Sequence, residues 1–352
     1  MRDAVAAKGK GVLGTVTAVQ ANFHQVQLDN LAALLCTRRS RLKKIGQKVM
    51  VGDRVVVTEP DYQDGRGVIA EVLPRKSVLE RPPVANAEQI ILVFAVEEPS
   101  LDPWQLSRFL VKAESTQLLP RLCLNKTDLI TAQQLEYWQE CLQSWGYEPI
   151  FISVVDNRGL EDLTQLLREK ISILAGPSGV GKSSLVNLLI PDLQVRVGAV
   201  SGKLGRGRHT TRHVELFELP GGSFLADTPG FNQPNLTCDP ADLASYFPEV
   251  RQRLVKGDCQ FSDCLHRDEP NCAVRGDWER YEHYLKFLGE VIATQEALQQ
   301  RPDHEASLKL KIKGSGKQEY EPKLESKKYR RSSRRQRHQT LQELYEEAEE
   351  LF

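Results

Sequence analysis

The chain has 352 residues, of which 40% are hydrophobic and 27% charged, and its formal net charge is zero. This composition is ordinary for a soluble globular protein, and the length suggests about two or three domains. The strongest apolar run, residues 90–96, is far shorter than the ~20 residues that cross a bilayer, and the first eleven residues lack the apolar core of a signal peptide. We therefore predict a cytoplasmic protein with no membrane contact, in which disulfides are not expected.

The zero net charge hides a strong asymmetry near the end of the chain. Residues 309–338 hold twelve Lys or Arg against three Glu, whereas the last fourteen residues hold five Glu and no base. We predict that 301–352 form a flexible basic arm followed by an acidic segment. The arm is either a sequence-independent RNA contact or a solubilising tail, and the sequence leaves both open.

Residues 12–75 alternate apolar and polar positions in short runs separated by turns, which indicates about five strands: a hairpin over 11–28, one strand on each side of the Gly52-Asp53 turn, and one over 66–73. Five strands in some sixty residues favour a small OB-type β-barrel, so we assign residues 1–75 to an RNA-binding OB domain. The alternatives are an SH3-like barrel or an extension of the next sheet. A predicted loop at 37–44 carries five bases and is either a phosphate contact or a solvated loop.

From residue 88 the pattern changes to strands that alternate with helices, which predicts an α/β domain with a largely parallel sheet. The helix after residue 102 begins with Asp102 as its cap and Pro103 at its first position, and the next begins at Thr131 and ends at Gly146. A hairpin turning on Pro220-Gly221-Gly222 completes this domain, to which we assign residues 76–237.

A phosphate-binding loop follows an apolar strand and opens a helix within this domain. Its sequence matches G-x-x-x-x-G-K-[ST], in which backbone N–H groups surround phosphates, the Lys reaches the β- and γ-phosphates, and the Ser holds Mg²⁺. A Gly-rich turn with a chance Lys-Ser is the structural alternative. The predicted nucleotide-binding residues are Gly176, Pro177, Ser178, Gly179, Val180, Gly181, Lys182, Ser183 and Ser184, with Lys182 also catalytic and Ser183 a magnesium ligand.

A base-reading loop precedes the phosphate loop by about fifty residues. It has the sequence Asn125-Lys126-Thr127-Asp128 and follows a buried strand, so it lies at the sheet edge where ligands bind. The Asp128 carboxylate can accept hydrogen bonds from N1–H and the exocyclic amine of guanine, whereas adenine offers neither donor there. A chance match is the alternative for so short a motif, and the phosphate loop in the same sheet makes GTP and GDP the expected ligands.

Other candidates complete a GTP site. Asp227 ends a strand, which places it to hold Mg²⁺ through water, and Gly230 would lie near the γ-phosphate. Thr210 and Thr211 are the candidates for a magnesium ligand in a switch loop, and the sequence does not choose between them. Ser153 either supports the base-reading loop through backbone contacts or simply ends a strand.

A Cys/His cluster lies in the helical region that follows, which we assign to residues 238–300. Three thiolates and one imidazole in fourteen residues predict a closed, tetrahedral, structural zinc site. A coincidental Cys-rich turn is the alternative. The predicted ligands are Cys259, Cys264, His266 and Cys272.

The motifs run in an unusual order, with the base-reading loop before the phosphate loop. A parallel sheet allows this order through circular permutation, because joined termini can be reopened elsewhere without moving a site residue. Together with "RKSVLERP", "GRHTT" and "DTPGF", the motifs of residues 10–300 resemble the circularly permuted GTPases of the RsgA (YjeQ) type. The resemblance implies an OB domain, a permuted GTPase domain and a zinc domain. It also implies late assembly of the small ribosomal subunit, which binds the protein and stimulates hydrolysis.

The motifs do not show which residue orients the attacking water. Phe231 stands where many GTPases have the Gln that orients the attacking water, and Phe cannot hydrogen-bond water. His209 is the candidate for positioning that water, and the alternatives are contact with a partner or an exposed side chain without a role. We expect a monomer that hydrolyses GTP on the small ribosomal subunit and its rRNA. The competing functions are an RNA-binding scaffold that holds GTP without turnover and a P-loop kinase that uses ATP.

Overall fold

The computed structural model describes residues 11–80, 82–190, 214–227, 235–299, 308–312 and 318–322. The chain falls into two compact units, Met1–Thr294 and Gln295–Phe352. The candidates His209, Thr210, Thr211 and Gly230 lie outside the described residues, as do the acidic terminal segment and most of the basic arm. Within the described part, no helix combines the length and apolar character needed to span a membrane.

The N-terminal strands close a barrel, as predicted. They are β1 (Val12–Gln20), β2 (Phe23–Leu28), β3 (Ala33–Arg38), β4 (Arg54–Asp61) and β5 (Arg66–Val72), with the short helix α1 (Ser40–Lys44) between β3 and β4. The pairing order is β1-β2-β3-β5-β4, and β1 also pairs with β4, which closes the barrel. Inward-facing residues such as Val16, Val26, Val55 and Ile69 are fully buried and form its core. The five-stranded OB-type barrel is therefore confirmed.

Two local predictions in the barrel are wrong. The strand predicted just before Gly52 is absent, because Asp53 holds that segment with its side chain: Asp53 Oδ2 accepts from the Met50 N–H at 2.7 Å and Oδ1 from Arg75 Nε at 2.7 Å. The fifth strand is instead β3, and the segment 37–44 ends β3 and forms α1 rather than a loop.

The barrel is continuous with a six-stranded α/β sheet. A small hairpin, β6 (Val78–Glu80) and β7 (Pro83–Ala85), leads into it. Its strands are β8 (Gln89–Ala95), β9 (Leu119–Asn125), β10 (Ile150–Phe151), β11 (Ile171–Ala175), β12 (Glu215–Leu219) and β13 (Ser223–Asp227), in the order β10-β9-β8-β11-β13-β12. All neighbours are parallel except β12 and β13, which form the predicted hairpin. β12 also pairs with β1 at the barrel.

Helices cover both faces of this sheet, and two of them begin at the predicted caps. They are α2 (Pro103–Glu114), α3 (Ala132–Ser144), α4 (Leu160–Leu167) and α5 (Lys182–Leu189). Asp102 Oδ1 accepts from the Trp104 N–H at 2.9 Å, and Thr131 forms a capping box with Gln134. Each cap satisfies backbone donors that a helix start would otherwise leave unpaired. Two hydrophobic clusters flank the strands. Because β8, β9, β11 and β13 run parallel, their carboxyl ends meet at one edge of the sheet.

The region after residue 235 contains α6 (Pro240–Leu243), α7 (Pro248–Lys256) and α8 (Tyr281–Gln299). Phe247, Tyr284, Phe287 and Val291 bury their side chains in its core, where Val111 of α2 joins them. In the second unit, β14 (Leu308–Ile312) pairs with β15 (Gln318–Pro322) in an antiparallel hairpin. The domain boundaries given above stay a prediction.

Candidate GTP site and Cys/His cluster

The candidate phosphate loop joins β11 to α5, as the motif predicts. Gly176 has φ +142°, and a Cβ there would meet the Val93 carbonyl oxygen at 2.1 Å. Gly181, with φ +97°, precedes the first residue of α5. Residues 178–179 are exposed, as are Ser183 and Ser184 in the first turn of α5. The loop therefore presents backbone groups and a helix N-terminus to one open edge of the sheet, which suits an anionic ligand.

Lys182 lies folded over this loop. Its Nζ donates to the Gly176 carbonyl oxygen at 2.8 Å and also contacts the carbonyl oxygen of Pro177. A phosphate oxygen carries a negative charge that a neutral carbonyl lacks, so phosphate would be a stronger partner for this ammonium group than the two carbonyl oxygens. The Lys182 ammonium group therefore lies where the motif predicts phosphate oxygens.

The base-reading loop touches the phosphate loop directly. Asn125 ends β9 with only 2% exposure, and its Nδ2 donates to the Val180 carbonyl oxygen at 2.8 Å. A Cβ at Gly181 would lie 2.4 Å from that Nδ2, so only glycine leaves room for the bond. Two segments 55 residues apart in sequence thereby share one edge of the sheet. The motifs alone had not indicated that Asn125 contacts the phosphate loop.

Asp128 is held in place from β10. The Ser153 hydroxyl, which is fully buried, donates to Asp128 Oδ1 at 2.7 Å and accepts from the Asp156 N–H at 3.1 Å. Thr127 is anchored next to it, since its hydroxyl donates to the Ile152 carbonyl oxygen at 2.9 Å. The sequence predicted backbone support from Ser153, whereas the support that the structure gives Asp128 comes from its side chain. Lys126 has φ +64° and contacts the carbonyl oxygen of Glu98.

The backbone of Asp227 lies beside the phosphate loop. It ends β13 and pairs in parallel register with Leu174, two residues before Gly176. That position suits a carboxylate that reaches a phosphate-bound Mg²⁺ through water. The second-switch Gly230 and the first-switch candidates lie outside the described residues, so the structure does not test them.

The Cys/His residues converge on one point. The ligand atoms of Cys259, Cys264, His266 and Cys272 all lie within 4.8 Å of one another. His266 Nδ1 is 3.4 Å from each of the three sulfurs, and the Sγ atoms of Cys259 and Cys272 are 3.8 Å apart. A tetrahedral zinc ion with Zn–S bonds of about 2.3 Å and Zn–N bonds of about 2.0 Å separates two sulfurs by ~3.8 Å and a sulfur from a nitrogen by ~3.5 Å. The cluster fits that ion.

Glu269 organises the loop between the last two ligands, and the sequence motif did not reveal it. Its carboxylate accepts from the N–H groups of Leu265 and Arg267, both at 2.8 Å, and of Asp268 at 3.1 Å. Burial opposes its ionisation, but these backbone donors outweigh burial and lower the pKa of Glu269 to about 2. The ionised Glu269 carboxylate, which is not one of the four predicted metal ligands, therefore holds the backbone of this loop.

We expect Cys264→Ser to lower the zinc content and to loosen residues 250–290, because in residues 251–273, which carry all four ligands, His266 is the one buried residue. Metal analysis of the purified protein and hydrogen exchange of those residues measure both effects. Cys36→Ser is the matched control, since Cys36 lies in β3 of the barrel rather than in residues 250–290. Full zinc retention in Cys264→Ser would exclude Cys264 as a ligand.

Comparison of this chain with known proteins identifies its family. The model of the RsgA GTPase family matches residues 72–237. The small ribosomal subunit biogenesis GTPase RsgA of Trichormus variabilis is 60% identical over 362 residues, covering 96% of this chain and 98% of the relative. The chain belongs to the RsgA GTPase family. YjeQ from Thermotoga maritima, in a crystal structure, is 34% identical with a TM-score of 0.67, covering 80% of this chain and 99% of YjeQ.

A second solved structure bears on the order of the motifs. YloQ, described as a circularly permuted GTPase, is 30% identical with a TM-score of 0.67, covering 82% of this chain and 98% of YloQ. The predicted family, the GTPase class and the permuted fold are therefore confirmed. In this RsgA-family chain the base-reading strand β9 precedes the phosphate-loop strand β11 in sequence, and the two lie in one sheet with β8 between them.

Proposed function

We propose that the chain binds and hydrolyses GTP while acting in the late assembly of the small ribosomal subunit, whose rRNA it contacts and which stimulates hydrolysis. The observation that carries the GTP site is the bond from Asn125 to the Val180 carbonyl oxygen, because it unites the base-reading and phosphate loops. Relatives named small ribosomal subunit biogenesis GTPase support the partner. A monomer working in the cytoplasm fits this role.

Each candidate residue has a role in this proposal. Asp128, positioned by Ser153, reads the guanine, while Asn125, Lys126 and Thr127 hold the base-reading loop. The phosphate loop, residues 176–184, surrounds the phosphates, and Gly230 approaches the γ-phosphate. Mg²⁺ is held by Ser183, Asp227 and one of Thr210 and Thr211, and it neutralises charge on the phosphates. His209 positions the attacking water.

The metal of the Cys/His cluster is zinc in this proposal. Its four ligands leave no open position, so the ion supplies folding energy rather than chemistry. It would fix the loop that residues 259–272 form beneath α8, where the Tyr281 and Tyr284 hydroxyls donate to the carbonyl oxygens of His266 and Leu265. The cluster is therefore an element of the surface that the 238–300 region offers to a partner.

Phosphate release with and without small ribosomal subunits tests the proposed function. We expect slow release by the chain alone, a large rise with subunits, and loss of both in Lys182→Ala, because Lys182 stabilises charge on the transferred phosphoryl group. His209→Ala should bind GTP normally yet lose the stimulated rate. An RNA scaffold would stay silent under both conditions, and a kinase would use ATP equally well. Either result would contradict the proposal.

A further inference from the structure

The segment that joins β8 to α2, residues 96–102, lies against both loops of the candidate GTP site. The Lys126 ammonium group of the base-reading loop contacts the Glu98 carbonyl oxygen. Pro99 lies beside the phosphate loop, since a Cβ at Gly179 would be 3.7 Å from Pro99 Cδ. A nucleotide that binds to the two loops and restricts their motion therefore also restricts this segment.

Helix α2 follows this segment directly and presents one face to the 238–300 region. Trp104, Arg108 and Val111 are spaced by four and three residues, so they share one face of the helix. The Trp104 ring centroid lies 3.9 Å from that of His283 on α8. Arg108 pairs with Glu290 of α8 at 2.6 Å, and Val111 is fully buried in the core of the 238–300 region. Helix α2 therefore connects the segment beside the GTP site to α8.

The contacts between α2 and α8 depend on the orientation of their side chains. His283 is buried, and its ring is tilted by 37° against that of Trp104. Lys286 Nζ lies 4.7 Å from the centroid of the Trp104 ring, and the Arg108 guanidinium lies 4.7 Å from that of Phe287. Ring stacking and cation–π contacts are attractive only over a narrow range of positions, so a small shift of α2 changes the stability of α8.

We propose that α2 couples the candidate GTP site to α8. Nucleotide binding stabilises α8 through this helix, and the contacts of Trp104 and Arg108 with α8 in turn strengthen nucleotide binding. Linkage requires the two effects to be the same factor, since each is the same coupling free energy seen from a different site. The inference rests on nucleotide binding in the proposed function and does not involve the ribosomal partner.

Hydrogen exchange of the full-length protein, followed by mass spectrometry with and without saturating GDP, tests the coupling. We expect GDP to slow exchange in residues 125–128 and 176–184, and to slow exchange in residues 281–292 by about five-fold or more. Trp104→Ala should remove the effect on residues 281–292 and weaken GDP binding by a similar factor. The variant keeps the backbone N–H that caps α2 at Asp102, so the start of the helix is unchanged.

Two further variants accompany Trp104→Ala. Tyr137→Ala is the matched control and should keep both effects, since Tyr137 is an exposed aromatic residue on α3 whose ring packs against Trp138. Glu290→Gln weakens the pair with Arg108 from the side of α8 and should reduce both effects in part. Because Glu290 is 42% exposed, this variant also tests the coupling if Trp104→Ala does not fold.

The coupling would be overturned if GDP protected the two loops but not residues 281–292 of the wild type. Retained protection in Trp104→Ala would also overturn it, because the effect would then pass along the chain from Asp227, which ends β13, to Leu236 in the core of the 238–300 region. Equal losses in Trp104→Ala and Tyr137→Ala, or wild-type behaviour of Glu290→Gln, would do the same. A wild type in which GDP protects neither loop would instead refute the proposed GTP site, and the coupling with it.

Discussion

Asp128→Asn should abolish the preference for guanine nucleotides. Asp128 can accept from both N1–H and the exocyclic amine of guanine. The Asn side chain keeps one acceptor, its amide oxygen, for N1–H. Its NH2 group would face the exocyclic amine, which is also a donor, so one of the two bonds is lost. Bonds to charged groups contribute about 1.5–3 kcal/mol each, and leaving a buried group unpaired costs more, so GTP affinity should fall by roughly 100-fold or more. Ser153 holds the side chain at 2.7 Å, so the replacement keeps its position.

The same variant should gain affinity for xanthosine triphosphate. Xanthine carries an oxygen where guanine carries the amine, so the Asn amide can donate to it while still accepting from N1–H. Competition of GTP, ATP and xanthosine triphosphate against a fluorescent nucleotide measures all three affinities. Asp156→Asn is the control, because Asp156 is a partly exposed carboxylate that pairs with Arg158 at 2.5 Å. Unchanged selectivity for GTP over ATP in Asp128→Asn would refute the proposed role of Asp128.

The sequence predicts which residue types form the site better than it predicts the contacts between the segments that carry them. Gly176, Lys182 and Asp128 follow from motifs, since each residue type is demanded by a ligand group at a fixed spacing. The bond between Asn125 and Val180 depends on how β8 separates β9 from β11 in the sheet, and no local pattern encodes that order. The candidates His209, Thr210, Thr211 and Gly230 stay predictions.

The fold shows the same division between local and long-range information. The caps at Asp102 and Thr131 were predictable because they act within three residues. Strand β3 was missed because its run of Ala and Leu also suits a helix, and its alternation becomes visible only when Leu34 and Cys36 are seen buried while Leu35 is exposed. Tertiary pairing with β2 and β5 decides the outcome there.

A buried ion pair that no local pattern reveals lies within the 238–300 region, where it faces the residue that follows α3. Arg280 is fully buried, and its Nε donates to Glu249 Oε1 at 2.6 Å while Nη2 donates to Oε2 at 2.5 Å. The guanidinium lies 4.8 Å from the Trp145 ring centroid and 4.9 Å from that of Phe247. The guanidinium therefore packs between the ring of Trp145, which directly follows α3, and the ring of Phe247, which directly precedes α7.

Arg280→Met should be strongly destabilising, because it leaves the Glu249 carboxylate buried without its partner. Losing one member of a buried pair costs about 3–5 kcal/mol, whereas replacing both by apolar groups of similar size is often neutral. We therefore expect a large fall in the urea midpoint for Arg280→Met, followed through Trp fluorescence, and substantial recovery in the Arg280→Met, Glu249→Met double variant.

The control for this pair is an exposed arginine on the same helix, α7. Arg251 pairs with Glu114 at 3.1 Å, but its side chain is 47% exposed, so Arg251→Met should cost less than about 1 kcal/mol. If Arg280→Met were as mild as Arg251→Met, the buried pair would not stabilise the 238–300 region. If the double variant were no more stable than the single one, the loss would come from packing against Trp145 and Phe247 rather than from an unpaired carboxylate. The comparison of the single and double variants therefore separates the effect of the unpaired charge from the effect of lost packing around Arg280.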